Sequence, residues 1–439
     1  MKAKRWFVLA VVLATGVTLA DAQLVNGRFL TSFYTWKQFD TVGSSAQYVR
    51  AFQTVQLSIA QGDVSLHTYL QGAAGGTNDV GRVRVYNLYL TWSAIGKAVD
   101  LSLGRQALYG GVANGSIDGL RATARFWQDK IRVTGFAGAT VNNDFAGIRK
   151  NIHDNTSFGG QLVTTAVPDL RFGISYMNRR QERDPYWTLR TRDTTFVPAL
   201  YPIVSDSPAE EYGGVDASYT YRSLVSLYGR YDYDFRLSRT FRGQGGARVS
   251  VTPALALTAD YLYRAPHVLY NSIFSVFTQN TVSEIEGGLE YALMPALRAF
   301  GKYAYVWYPA DNNVAKDKNN RWTLGLNSQY GSFSYAGSDG YAGQLQSVSL
   351  QGAYPLFNRL LTPTLGVSYV SYRLSADAPR ENALSVLLGA TLRPASAFSC
   401  DIQGQWMTNR IYKNDMRLQV RLMYWFAERL SIFRQEVKQ

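Results

Sequence analysis

The chain has a single cysteine, Cys400, among its 439 residues, so no intrachain disulfide can brace it. Its histidines are three, His67, His153 and His267, scattered along the sequence. One thiol and three imidazoles leave a transition-metal site without obvious ligands, so neither a metal nor another cofactor is expected. Beyond Gln23 no apolar run approaches the ~20 residues of a membrane-crossing helix. No stretch rich in Pro, Ser and Gly divides the chain, which reads as one large domain. Acidic residues are the minority, 32 against 45 Lys and Arg, for a formal net charge of +13.

What is present begins with an export signal. Lys2, Lys4 and Arg5 precede an apolar stretch over residues 6–19, and Ala20-Asp21-Ala22 offers the small residues a signal peptidase reads. Residues 1–22 are therefore expected to be removed, which leaves a net charge of about +11 (13 − 3 + 1). Arginine supplies 34 of the 45 basic residues. That bias suits forked contacts to carboxylate or phosphate better than simple solubilisation. Export makes nucleic acid an improbable partner for this basic chain. Outer-membrane lipid, lipopolysaccharide and small anionic solutes are the expected partners.

Behind the signal, apolar and polar residues alternate with period two. In residues 416–426, Met416, Leu418, Val420, Leu422, Tyr424 and Phe426 alternate with Arg417, Gln419, Arg421, Met423 and Trp425. Such a segment is a strand with one apolar face and one polar face. The pattern recurs from Leu24 onward, with short turns such as Gly62 alternating with long loops such as residues 72–81. A soluble barrel shares this period, so periodicity alone does not choose between the two. The signal, the missing linkers and the turn–loop asymmetry choose the membrane. The fold class expected is all-β, a transmembrane antiparallel outer-membrane β-barrel of about 18–22 strands in a Gram-negative bacterium. Its bounds are residues 23–426, and residues 427–439 are a periplasmic tail or an extra strand. No plug-sized segment precedes Leu24, so no plug domain is expected.

The polar faces supply a lumen lining of mixed charge. Its basic members are Arg28, Arg50, Arg105, Arg121, Arg125, Arg132, Arg171, Arg230, Arg264, Arg298, Lys302, Arg417 and Arg421. Its acidic members are Asp100, Asp118, Asp232, Asp260, Glu286 and Glu290. Pairing across strands can neutralise any one of them, but the basic excess outlasts pairing and favours anions in a wet pore. The longest loop, residues 178–211, carries Arg179, Arg180, Arg183, Arg190 and Arg192. Folded inward it would be a constriction; laid over the mouth it would be a binding loop.

One strand breaks the pattern. In Leu103-Gly104-Arg105-Gln106 strict alternation aims Arg105 at lipid, where a charge is expensive. A bulge at Gly104 would re-aim it, or Arg105 would sit at head-group depth. Followed by Tyr109-Gly110-Gly111 and Ile117-Asp118-Gly119-Leu120-Arg121, this stretch resembles the alginate-export-type outer-membrane porins. The resemblance implies a monomeric barrel with an arginine-rich pore for anionic polysaccharide or small anions, with Arg105 and Arg121 as pore residues or strand–loop anchors.

The reading is a passive porin-like channel for small, anionic solutes, without catalysis. A barrel scaffold that binds a partner protein in an outer-membrane assembly is the alternative. A barrel hydrolase ranks lower, because His67 shows no convincing serine partner in the sequence and His153-Asp154 lies in a loop.

Overall fold

The computed structural model describes residues 23–40, 45–75, 82–142, 144–148, 151–181, 186–191, 198–203, 210–265, 281–308, 317–340, 343–375 and 377–430. All regular structure among them is β. The strands are β1 (Gln23–Asp40), β2 (Ser45–Gln61), β3 (Val64–Ala74), β4 (Arg82–Ile95), β5 (Val99–Gly110), β6 (Ala113–Phe126), β7 (Ile131–Thr140), β8 (Thr156–Thr164) and β9 (Leu170–Arg179). A separate hairpin, β10 (Tyr186–Thr191) and β11 (Pro198–Ile203), interrupts the series. There follow β12 (Glu210–Tyr221), β13 (Val225–Asp234), β14 (Arg239–Ser250), β15 (Leu255–Arg264), β16 (Val282–Met294), β17 (Leu297–Tyr308), β18 (Asp317–Ser328) and β19 (Gly331–Gly340). The last five are β20 (Gly343–Ala353), β21 (Leu361–Arg373), β22 (Glu381–Ala395), β23 (Phe398–Thr408) and β24 (Tyr412–Leu430).

Each of the 22 wall strands pairs antiparallel with its sequence neighbour, β9 pairs with β12, and β24 pairs with β1. The sheet is closed, so no strand stands at an edge of it. Closure runs the full length of the first strand, from Gln23 opposite Leu430 to Asp40 opposite Tyr412. The last strand therefore continues past Phe426, where the sequence pattern ends it, to Leu430; residues 431–439 lie outside the described residues.

The two faces of the wall differ in the sense a membrane requires. Phe29 and Phe33 on β1, Leu289 on β16, Leu388 on β22 and Leu418 on β24 point outward and are exposed. Their strand neighbours Arg28, Ser32, Glu290, Gly389 and Arg417 face inward. The buried polar residues Ser32, Thr54, Asp232, Asp401 and Asp415 lie on that inner side. A water-soluble barrel would reverse the two faces. Trp307 contacts both Tyr261 and Tyr305 on the outer face near the long-loop end, as an interfacial girdle requires.

This assignment makes Leu388→Arg and Gln403→Arg a discriminating pair. The two positions sit one register step apart, with Leu388 outward at 62% exposure and Gln403 inward, opposite Gly389. Arginine on the lipid face costs ~2–4 kcal/mol near the bilayer midplane. Refolding titrations in lipid should show that loss for Leu388→Arg and almost none for Gln403→Arg.

Candidate functional site

The wall is interrupted at one place, and the interruption shapes the lumen. The ladder between β4 and β5 ends at Leu88 opposite Arg105, although β5 continues to Gly110. The ladder between β6 and β7 starts at Ile117 opposite Thr140, although β6 begins at Ala113. Residues 106–116 thus leave the wall as a hairpin tongue, and Gly104 makes the bend. Its φ of +124° lies in the region only glycine adopts without strain, and a Cβ there would meet the Leu88 carbonyl at 2.4 Å.

The tongue folds inward across β7 to β14. Leu108, Val112, Ala113 and Ile117 are buried with Phe136 on β7, Met177 on β9, Tyr212 on β12 and the adjoining Phe241 on β14. The Val112 N–H donates to Ser175 Oγ at 3.0 Å, and Arg230 Nη2 donates to the Gly111 carbonyl at 2.8 Å. Arg179, ion-paired to Glu210 at 3.2 Å, also donates to the Asn114 side chain. This small apolar cluster sits inside an otherwise polar lumen.

Arg105 fixes the root of the tongue. Its Nε and Nη2 each donate to Asp118 at 2.7 Å, Nη1 donates to the carbonyls of Val85 and Phe145, and Nη2 also reaches the Gly147 carbonyl. All five guanidinium N–H groups are satisfied. The expectation that Arg105 and Asp118 line the pore is corrected: they are 6% and 16% exposed, capped by the segment containing Phe145 and Gly147. The physical reason is the Gly104 bend. It carries the upper part of β5 out of the wall, so Arg105 gains partners from β4 and from the β7–β8 connection.

Most of the other basic lumen residues are paired. Arg125 binds Asp100, and Arg171 binds Asp216. Arg230 and Arg242 share the buried Asp232, at 2.9 and 3.9 Å. Lys302 and Arg321 meet on Glu286, at 2.9 and 3.3 Å, and Arg248 pairs with Glu290 at 2.8 Å. Arg417 holds the fully buried Asp415 at 2.6 Å, and Arg421 lies 3.5 Å from Asp401. Asp260 accepts from the Tyr228 hydroxyl at 2.8 Å. Among the described residues Arg28, Arg50, Arg121, Arg132, Arg264 and Arg298 have no acidic partner, although the Arg50 guanidinium lies 5.7 Å from the Trp36 ring centroid. The basic excess therefore survives pairing.

The arginines of the long loop divide differently. Arg179 belongs to the β9 wall and tethers the tongue, so it is not a loop residue. Arg180 is exposed and its N–H donates to the Thr156 carbonyl. Arg183, Arg192 and the Arg190 side chain lie outside the described residues. Nor is the loop structureless, because β10 and β11 pair across it.

Sequence reasoning missed the partners of His67. Ser58 Oγ stands 3.1 Å from Nδ1, Ser65 Oγ 2.9 Å from Nε2, and Tyr89 stacks on the ring. Both nitrogens face hydroxyls and neither faces a carboxylate, so the ring works as a hydrogen-bonding liner of a cavity of about 710 Å³. The signal was available in the sequence, since the Gly62 turn sets the hairpin register that places Ser58 opposite His67.

No protein-family model matches the chain, and no curated protein matches it. Solved structures do. The ferric enterobactin receptor PfeA of Pseudomonas aeruginosa aligns over 93% of this chain and 82% of its own, at 10% identity and a TM-score of 0.59. The siderophore receptor PirA of the same organism aligns over 93% and 81%, at 13% identity and 0.57. OccAB4 of Acinetobacter baumannii aligns over 93% and 99% at 9% identity, with a looser TM-score of 0.44. The chain shares the large closed barrel of the two receptors. At these identities the likeness shows the fold alone, and it does not reach the alginate-export type.

Proposed function

We propose that the chain is an outer-membrane channel of a Gram-negative bacterium through which small solutes diffuse passively, with a preference for anions. The observation that carries this reading is the set of lumen arginines left without acidic partners, against Asp260 as the one expected lining acid outside the ion pairs. Basic residues in a wet pore replace part of an anion's hydration and repel cations. The inward tongue narrows the lumen on the side of β7 to β14 and would restrict solute size.

The test is single-channel recording of refolded protein in planar bilayers under a potassium chloride gradient. Discrete steps with a reversal potential on the chloride side are expected; a potassium-side reversal potential would overturn the reading. A second reading draws support from the strand number, because 22-stranded outer-membrane transporters have a plugged lumen. On that view the barrel grips a partner protein, and the folded barrel alone would be electrically silent or would conduct without selectivity.

A further inference from the structure

Under the tongue, toward the short-turn end, lies a recess of about 440 Å³ in the lumen wall. Its wall side is built from β6 and β7 in three register steps. Arg121 stands opposite Phe136, then Thr123 opposite Thr134, then Arg125 opposite Arg132. The two threonine hydroxyls hydrogen-bond to each other at 3.2 Å, and Leu108, Tyr109 and Ala113 of the tongue line the other side.

Two features set this recess apart from the rest of the lumen. Arg125 and Arg132 face each other directly, an unfavourable placement for like charges in a sheet. Arg125 is relieved by turning to Asp100 on β5, which leaves Arg132 without a partner among the described residues. Arg121, at the other end of the threonine pair, likewise has none. Arg171 also lines the recess, but Asp216 neutralises it. The net result is two uncompensated guanidinium groups, one at each end of a short slot with hydroxyls in the middle and apolar cover above.

We propose that the recess is a saturable binding site for a small dianion whose two charges sit on separate oxyanion groups, as in a short dicarboxylate. One group engages Arg121 and the other Arg132, each by the forked geometry guanidinium offers to carboxylate. The connecting carbons lie between the threonine pair and Leu108. Four residues separate the wall positions of the two heads, ~13 Å at ~3.3 Å per residue, which favours a two-headed ligand over a compact single-headed one. This inference rests on the channel reading for its role in transport, but not for its existence.

The test uses succinate as the probe, with acetate as the single-headed control. In bilayers, succinate is expected to reduce the chloride current saturably. Arg121→Gln and Arg132→Gln should each raise the half-blocking concentration about tenfold or more, the loss expected for one charge-assisted contact. Acetate should produce no saturable block. Equal block by acetate, or a succinate block unchanged in both variants, would overturn the site. Calorimetry of succinate on the detergent-folded full chain reads binding without conductance. Heat seen in the wild type and lost in both variants supports the site even in a silent barrel. Absence of heat in the wild type overturns it even if the channel proves anion-selective, so the site and the channel reading fail separately. Arg121→Lys and Arg132→Lys keep the charge and guard against misfolding, and an intermediate affinity is expected of them.

Discussion

Arg105→Ala is expected to free the tongue while leaving the barrel closed. The substitution removes all five donors that hold Asp118, Val85, Phe145 and Gly147 together and strands the Asp118 carboxylate in a mostly enclosed place. Removing one partner of a buried ion pair costs ~3–5 kcal/mol, a factor of roughly a hundred to a few thousand in the docking equilibrium. The tethers that remain are Arg179 to Asn114, Arg230 to the Gly111 carbonyl, the Val112 N–H to Ser175 and the apolar underside around Ile117. The first three hold the tip, whereas at the root Ile117 keeps its packing but the β5 side loses its clamp. The channel should show a larger and noisier unit conductance, and residues 106–116 should become open to protease. Migration of the unheated protein as a folded barrel should not change. An Arg105→Ala channel with wild-type conductance and an uncut tongue would show that the clamp does not control the constriction.

Reversing the recess charges should reverse ion preference. Arg121→Glu with Arg132→Glu changes the local charge by four units. At about 7 Å in water each unit is worth ~0.6 kcal/mol to a passing monovalent ion, so the change is ~2 kcal/mol before screening. That is more than tenfold in the local ratio of anions to cations. The reversal potential should move from the chloride side to the potassium side, and the shift should shrink as salt rises. The flanking Arg125 and Arg171 keep their own acids, so the fold should tolerate the change. An unmoved reversal potential would place the selective charges elsewhere, with Arg28, Arg50, Arg264 and Arg298 as the remaining candidates.

The barrel was legible in the sequence because period two is a local property: Leu418, Val420 and Leu422 show their common face without reference to any other strand. The irregularity at Gly104-Arg105 was legible too, as a charge on the wrong side of the alternation. Its resolution was not. The inward bend depends on Val85, Phe145 and Gly147, which lie 20 to 42 residues from Arg105, and on a docking surface that reaches β14. No local pattern encodes contacts of that span. The β10–β11 hairpin was hidden for a different reason. Pro198 and Pro202 within its second strand read as breaks, and only a strand outside the main sheet carries two prolines comfortably. The unpaired recess arginines looked no different from their paired neighbours, because pairing follows which strand supplies the acid, and register decides that.

The vacancy the tongue leaves in the wall is not empty. Continuing the register from Leu88 and Arg105 would put Val85 opposite Leu108, yet the Val85 N–H donates to the Phe145 carbonyl at 3.0 Å. Two segments thus have a claim on one edge of β4, and only one can hold it at a time. Should the tongue swing back into line with the wall, the stretch around Phe145 must let go. Such a swing would couple the lumen and the long-loop rim through a single backbone seat. The Val85 amide is held under either claimant, so its solvent exchange reads the moments when neither does.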